Sequence, residues 1–201
     1  MWIPAVKVCY ADRGYDIVRI MTNPMTYSQT IALDAMGGDH GPDVIVPGAA
    51  QALVKIPGTK FIFFGDEKKI APVLAKHAAL KAVSEIVHTD KKIGSSDGIS
   101  AAIRASKDSS MRLAIEAVKE GRAGSVVSAG NTGALMATAR FVLKTLPGID
   151  RPAIIFSYPT VIASKRTRIL DLGANVDSSK ESLFQFAVMG SVYAQLMLGI
   201  D

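Results

Sequence analysis

From residue 30 onward the chain alternates two patterns of apolar and polar positions. Short runs rich in β-branched and aromatic residues, at 30–33, 60–64, 84–88, 125–128, 153–156 and 168–172, predict strands. Between them, Val46, Ala49, Ala50 and Leu53 mark one helix face, and Met111, Ala114, Ile115 and Val118 mark another at the same i, i+3, i+4, i+7 spacing. Breakers stand where helices should end, at Pro57-Gly58, Gly121 and Pro147-Gly148. Strand and helix in alternation imply parallel strands joined by right-handed helical crossovers. The expected fold is α/β, a three-layer α/β/α arrangement around a mainly parallel sheet. In such sheets ligands gather beyond the carboxyl ends of the strands, so chemistry is sought in the turn after each strand.

Two segments depart from this rhythm. Residues 1–29 carry no sustained period, and Lys7, Asp12, Arg13, Asp16 and Arg19 interrupt any apolar run that could serve as a signal peptide. They read as an amino-terminal extension with little order before about Ser28, Met21 or Met25 being a more natural start, and residues 30–201 read as the domain. At the other end, residues 183–200 contain no charged side chain. A membrane span is rejected because Gln185, Gly190, Ser191, Tyr193 and Gln195 dilute the apolarity and Lys180 and Glu181 abut it. The segment reads as a helix buried between the sheet and another surface, such as a second subunit.

Composition narrows the class. With 201 residues, 49% of them hydrophobic and 6% aromatic, the chain is neither disordered nor of low complexity. A single cysteine, Cys9, excludes a disulfide framework, and His40, His77 and His88 lie too far apart for a local ligand motif, so no metal is expected. The net charge of +5 is spread thinly. It suits an acidic protein, a phosphorylated ligand or anionic lipid headgroups, and an ordinary solvated surface accounts for it equally. No recognition helix, aromatic RNA-binding strand or basic arm is present, which disfavours nucleic acid.

The turn after the first strand of the domain reads Asp34-Ala35-Met36-Gly37-Gly38-Asp39-His40-Gly41-Pro42. Gly37 and Gly38 let backbone approach a ligand, Asp39 or His40 could hold a counter-charge or a proton, and the helix opening near Asp43 should offer N–H groups. His40 is the candidate catalytic base. A tight turn with a capping Asp fits the same residues. The better anion site is the turn Ser128-Ala129-Gly130-Asn131-Thr132-Gly133, where small residues clear space before a helix and Asn131 and Thr132 add neutral donors, although Asn or Thr there is also a routine cap. After the last strand, Asp171-Leu172-Gly173-Ala174-Asn175 repeats the pattern, and the three turns are expected to share one sheet edge. Arg104, Lys107, Ser109 and Ser110 form a further anionic-ligand element before the helix bearing Met111, with a solvated helix start as its equal competitor. The chain has no Walker lysine pattern, no G-x-G-x-x-G fingerprint and no G-x-S-x-G elbow. These turns point to phosphate or a phosphate-bearing substrate without revealing the reaction.

The blocks Ile31 to Asp39, Ser109-Ser110-Met111, Ser128 to Met136, Gly148 to Ala153, Asp171 to Asp177 and Gln185 to Tyr193, taken in order, resemble the bacterial phosphate acyltransferases of phospholipid synthesis. The resemblance implies reversible transfer of a fatty acyl group from acyl-acyl carrier protein to inorganic phosphate, giving an acyl phosphate. It also implies a homodimer with a fold similar to the isocitrate and isopropylmalate dehydrogenases and no redox cofactor. Its place would be the cytoplasm, with peripheral association at the inner membrane face. It suggests inorganic phosphate for the Gly130 to Gly133 turn and an acidic carrier protein for the basic surface. The chain departs from the family pattern at Ala105 and Ser106, where a denser basic run is usual, and at Ser179, Lys180 and Ser182. Family members continue past the position of Asp201, through a Lys-Gly-Asn motif associated with catalysis. The chain is therefore expected to be the amino-terminal part of such an enzyme, truncated at its carboxyl end. The alternatives are a short product that binds phosphate or carrier protein without turnover, and a short-chain phosphotransacylase using coenzyme A thioesters.

Overall fold

A strand covered on both faces must be apolar through its covered length, and in the segment KFIFFG everything after the exposed Lys60 is: Phe61, Ile62, Phe63 and Phe64 are all buried. In the computed structural model, which describes residues 7–9, 30–94, 107–162, 166–173, 175 and 177–198, this segment is an interior strand of a five-stranded sheet. The chain divides into two units, residues 1–144 and 145–201.

The first unit contains β1 (Lys7–Cys9), β2 (Thr30–Asp34), α1 (Pro42–Lys55), β3 (Lys60–Gly65), α2 (Glu67–Leu74), α3 (Ala78–Lys81), β4 (Ser84–His88), α4 (Ser110–Glu120), β5 (Ser125–Ser128) and α5 (Thr132–Leu143). The sheet order is β1-β5-β2-β3-β4, with β5, β2, β3 and β4 parallel and the short β1 antiparallel on the β5 edge. The register places Ala32 beside Ile62 and Val126, and Leu33 beside Phe63 and Val127.

Because side chains alternate across a strand, this register sorts the core into two layers. Ala32, Ile62, Phe64 and Val126 pack with Met111, Ala114, Ile115 and Val118 of α4 and Ala134, Leu135, Ala139 and Val142 of α5. Leu33, Phe61 and Phe63 pack on the other face with Val46 and Ala49 of α1, Ile70 and Leu74 of α2, and Leu80 of α3. The three-layer α/β/α expectation is met. Helix ends follow local chemistry: Ser109 caps α4 by accepting from the Arg112 N–H, Asp66 caps α2 by accepting from the Lys68 N–H, and Gly121 at φ 74° closes α4.

The second unit holds β6 (Ile155–Pro159), β7 (Arg166–Leu170) and α6 (Lys180–Leu198). Here the structure corrects the sequence expectation. β6 and β7 do not join the parallel sheet; they form a separate antiparallel pair in which Ile155 faces Leu170 and Pro159 faces Arg166. The link between Pro159 and Arg166 is too short for the crossover that parallel pairing requires, so the two strands pair antiparallel. Both strands also sit about two residues from their expected bounds. α6 lies against β7, with Gly190 close to the Leu170 side chain. No described helix is long and apolar enough to cross a membrane.

Candidate functional site

The strand order places β2 and β5 side by side although much of the first unit separates them in sequence. From β2 the chain leaves toward α1 on one face of the sheet, and from β5 toward α5 on the other. Diverging connections of this kind open a crevice at the carboxyl ends of the two strands, the usual ligand position in open α/β sheets. The turns beginning at Asp34 and at Ser128 meet there, as the sequence anticipated for these two.

Beneath the crevice lies Asp34, 1% exposed, at the end of β2. Ser110 donates to its Oδ1 at 2.6 Å, Ser128 donates to its Oδ2 at 2.7 Å, and the Met36 N–H donates to Oδ1 at 3.3 Å. Burial pushes the carboxyl above its ordinary value, and the two serine hydroxyls and the Met36 and Gly37 amides oppose that shift. Ser110 and Ser128 are themselves each 1% exposed. One carboxyl thus joins the end of β2, the start of α4 and the end of β5.

Above it the two glycine turns touch. A β-carbon built on Gly37 would lie 2.7 Å from Asp34 Oδ2, 2.9 Å from the Gly130 backbone nitrogen and 3.1 Å from Ser128 Oγ. One on Gly130 would lie 2.8 Å from the Met111 Cε. Only glycine lets the backbones approach this closely. The Gly130 N–H donates to Ser128 Oγ at 3.0 Å, so the turn is coupled to the buried carboxyl through a single hydroxyl.

α5 starts directly after this contact. Asn131 takes the capping role, its Oδ1 accepting from the Ala134 N–H at 3.0 Å, and Thr132 and Gly133 form the first turn, half-buried at the crevice. At α4, Ser109 is the cap, and the Ser110 N–H donates to the Lys91 carbonyl. Lys107 is exposed next to Asp108, whose carboxylate pairs with Lys91 at 2.9 Å. That pairing holds Asp108 below its ordinary value and raises Lys91.

The opening of α1 differs from expectation. Pro42 has no N–H, the Asp43 N–H donates to the His40 carbonyl, and the Val44 and Ile45 N–H groups both donate to Gly41. This helix start therefore has its amides engaged, because proline at the first position draws the turn closed. What the segment does form is the wall of an open cleft of about 360 Å³, lined by Gly38, Asp39, His40, Asp43, Lys69 and Lys92 among others. His40 and Asp39 are exposed on it.

The third turn belongs to the second unit. Asn175 follows β7 in the second unit, and its amide donates to Asp171, which also accepts from Ser178. Since β7 lies outside the parallel sheet, the three turns do not share one sheet edge. Arg104 lies outside the described residues. Sequence reasoning missed Ser128 as a partner of Asp34, and missed Lys69 and Lys92 as cleft residues. Lys92 carried a usable signal, since it closely follows a strand end; Lys69 sits on α2, a short helix that sequence periodicity did not isolate. Among the described residues no group of His, Cys, Asp or Glu could hold a metal.

Comparison with known proteins adds the lineage of this site. The sequence is 57% identical over 166 residues to a phosphate acyltransferase of Coxiella burnetii (strain Dugway 5J108-111), covering 82% of this chain and 48% of that protein. It is 54% identical over 170 residues to a phosphate acyltransferase of Rhodospirillum centenum, covering 85% and 47%, and 55% identical over 167 residues to one of Legionella pneumophila (strain Paris), covering 83% and 48%. The chain spans about half the length of the curated relatives it matches. The fatty acid synthesis protein family matches residues 29–201, a stretch that includes both glycine turns, the buried carboxyl between them and the whole second unit. This chain belongs to the fatty acid synthesis protein family.

Proposed function

We propose that the protein to which this chain contributes transfers a fatty acyl group from acyl-acyl carrier protein to inorganic phosphate, and that the crevice between β2 and β5 is where phosphate is held. The observation that carries the reading is the meeting of the Gly37 and Gly130 turns at the point where the sheet's connections diverge, in a chain more than half identical to phosphate acyltransferases over most of its length. A compact, doubly charged nucleophile needs closely approaching backbone and short polar donors. Asn131, Thr132 and Gly133 supply these at the start of α5.

In the reaction, a phosphate oxygen forms a bond to the acyl carbon, the carbon–sulfur bond breaks, and the departing thiolate takes up a proton. His40, exposed on the adjoining cleft beside Asp39, is the proposed proton carrier. Lys69 and Lys92 give the cleft its positive character, which suits the acidic carrier protein. No cofactor enters this chemistry. The reading includes a homodimer, for which Leu183, Phe184, Val188 and Val192 of α6 offer exposed apolar surface, and peripheral membrane association.

The test is a chimaera in which this chain replaces the matched segment of the Coxiella burnetii relative. With long-chain acyl-acyl carrier protein it should form acyl phosphate in proportion to added phosphate. Acyl release independent of phosphate, or turnover only with short-chain coenzyme A thioesters, would overturn the reading.

A further inference from the structure

We propose that Asp34 is a positioning residue that sets the geometry of the phosphate turn without touching phosphate, an inference that rests on phosphate binding at the start of α5. Asp34 is almost wholly buried, and both of its carboxyl oxygens are engaged, one by Ser110 and Met36 and the other by Ser128. It cannot reach a ligand in the crevice. Its influence runs through Ser128, whose hydroxyl donates to Asp34 and accepts from the Gly130 N–H, the residue before the cap of α5.

The direction of that hydroxyl is what the carboxyl controls. A serine Oγ with its proton committed to an anion turns its lone pairs toward the Gly130 amide, so one charge fixes the orientation of the next donor. Ser110 does the corresponding work on the other oxygen, tying α4 to the same point. Gly37 packs against Asp34 and Gly130 together, leaving the turn no room to slide. A negative charge beneath an anion site repels the ligand, so as a mere charge Asp34 would be a liability to phosphate binding. As a geometric anchor it aligns donors in advance, and misaligned donors lose affinity steeply.

These two roles predict opposite results. Inorganic phosphate is titrated against the full chain and its variants, with affinity and unfolding stability measured on each. Ser128→Ala and Asp34→Asn should both weaken phosphate binding by about tenfold, and exchange of the Gly130 amide should accelerate in both. Leu80→Ala, which opens a cavity in the opposite core layer, should lower stability while leaving phosphate affinity within about twofold. Tighter binding by Asp34→Asn would show that the carboxyl acts only as a charge, and an equal loss in Leu80→Ala would reduce the effect to general stability; either overturns the proposal. If Ser128→Ala binds normally while Thr132→Val is weakened, the phosphate site stands and the anchor fails. If the unaltered chain binds no phosphate, or Thr132→Val is unaffected, the reading of the α5 turn fails and the inference with it.

Discussion

Replacing Gly37 with alanine introduces one methyl group at a point where two turns and a buried carboxyl converge. The new carbon would meet Asp34 Oδ2 at 2.7 Å, the Gly130 nitrogen at 2.9 Å and Ser128 Oγ at 3.1 Å. None of these neighbours is the end of a long flexible side chain. The Gly130 nitrogen is backbone, and both the carboxyl and the hydroxyl are fixed by their shared hydrogen bond. Overpacking of this kind costs about 1–3 kcal/mol. Relieving it by moving Ser128 or Asp34 lengthens a hydrogen bond to a charged group, worth about 1.5–3 kcal/mol. Together these come to roughly 2.5–6 kcal/mol, a large share of the ordinary stability of about 5–15 kcal/mol. Gly48, within α1, is the control, since a β-carbon there has nothing within 4 Å. Alanine at Gly48 should stabilise by about 0.5–1 kcal/mol through its helix preference. Urea unfolding followed by circular dichroism, with amide exchange in β2 and β5 as the local probe, measures both. With a slope of about 2 kcal/mol/M, Gly37→Ala should lower the midpoint by roughly 1.3–3 M. A Gly37→Ala chain that matched the unaltered one in midpoint and in β2 and β5 exchange would show that the two turns are not packed backbone to backbone.

Thr132→Val should weaken binding of inorganic phosphate by about 1–3 kcal/mol, roughly five- to 150-fold, in a calorimetric titration, and an unchanged affinity would move the site. Arg168, on β7, has Nε and Nη1 buried without a hydrogen-bond partner among the described residues. Arg168→Leu should therefore raise the stability of the second unit by about 1–3 kcal/mol in thermal unfolding, and destabilisation would refute that account. The raised Asp34 carboxyl predicts a pH effect. A group whose folded value lies above its unfolded value contributes most stability below the unfolded value, here 3.8, and loses it as pH rises through the folded value. The stability of the unaltered chain minus that of Asp34→Asn should thus decline as pH is raised from about 4 toward neutrality, and a difference independent of pH would contradict the burial argument.

Elements that depend on local patterns are legible in the order of the amino acids. Four strands of the parallel sheet, α1, α4 and α5 follow from apolar spacing, and the breakers at Pro57-Gly58, Gly121 and Pro147-Gly148 fall between elements as expected. The candidate turns at Gly37 and Gly130 were legible too, because glycine directly after a strand marks a place where the backbone bends sharply or comes close to another group. Which turns meet is a product of tertiary packing. That β2 and β5 are neighbours is a matter of strand order, and sequence spacing is silent on it. The same fact turns Asp34, a plausible ligand contact by sequence, into a buried carboxyl shared by Ser110 and Ser128, which lie 76 and 94 residues away. The fate of the last two strands was also a tertiary outcome. Their residues favour a strand in either sheet, and the short link between them paired them antiparallel, so the turn bearing Asn175 follows a strand of the second unit and not of the parallel sheet. Local propensity selects the pieces, while burial and chain connectivity choose their neighbours, and a binding site made of neighbours is decided at that second level.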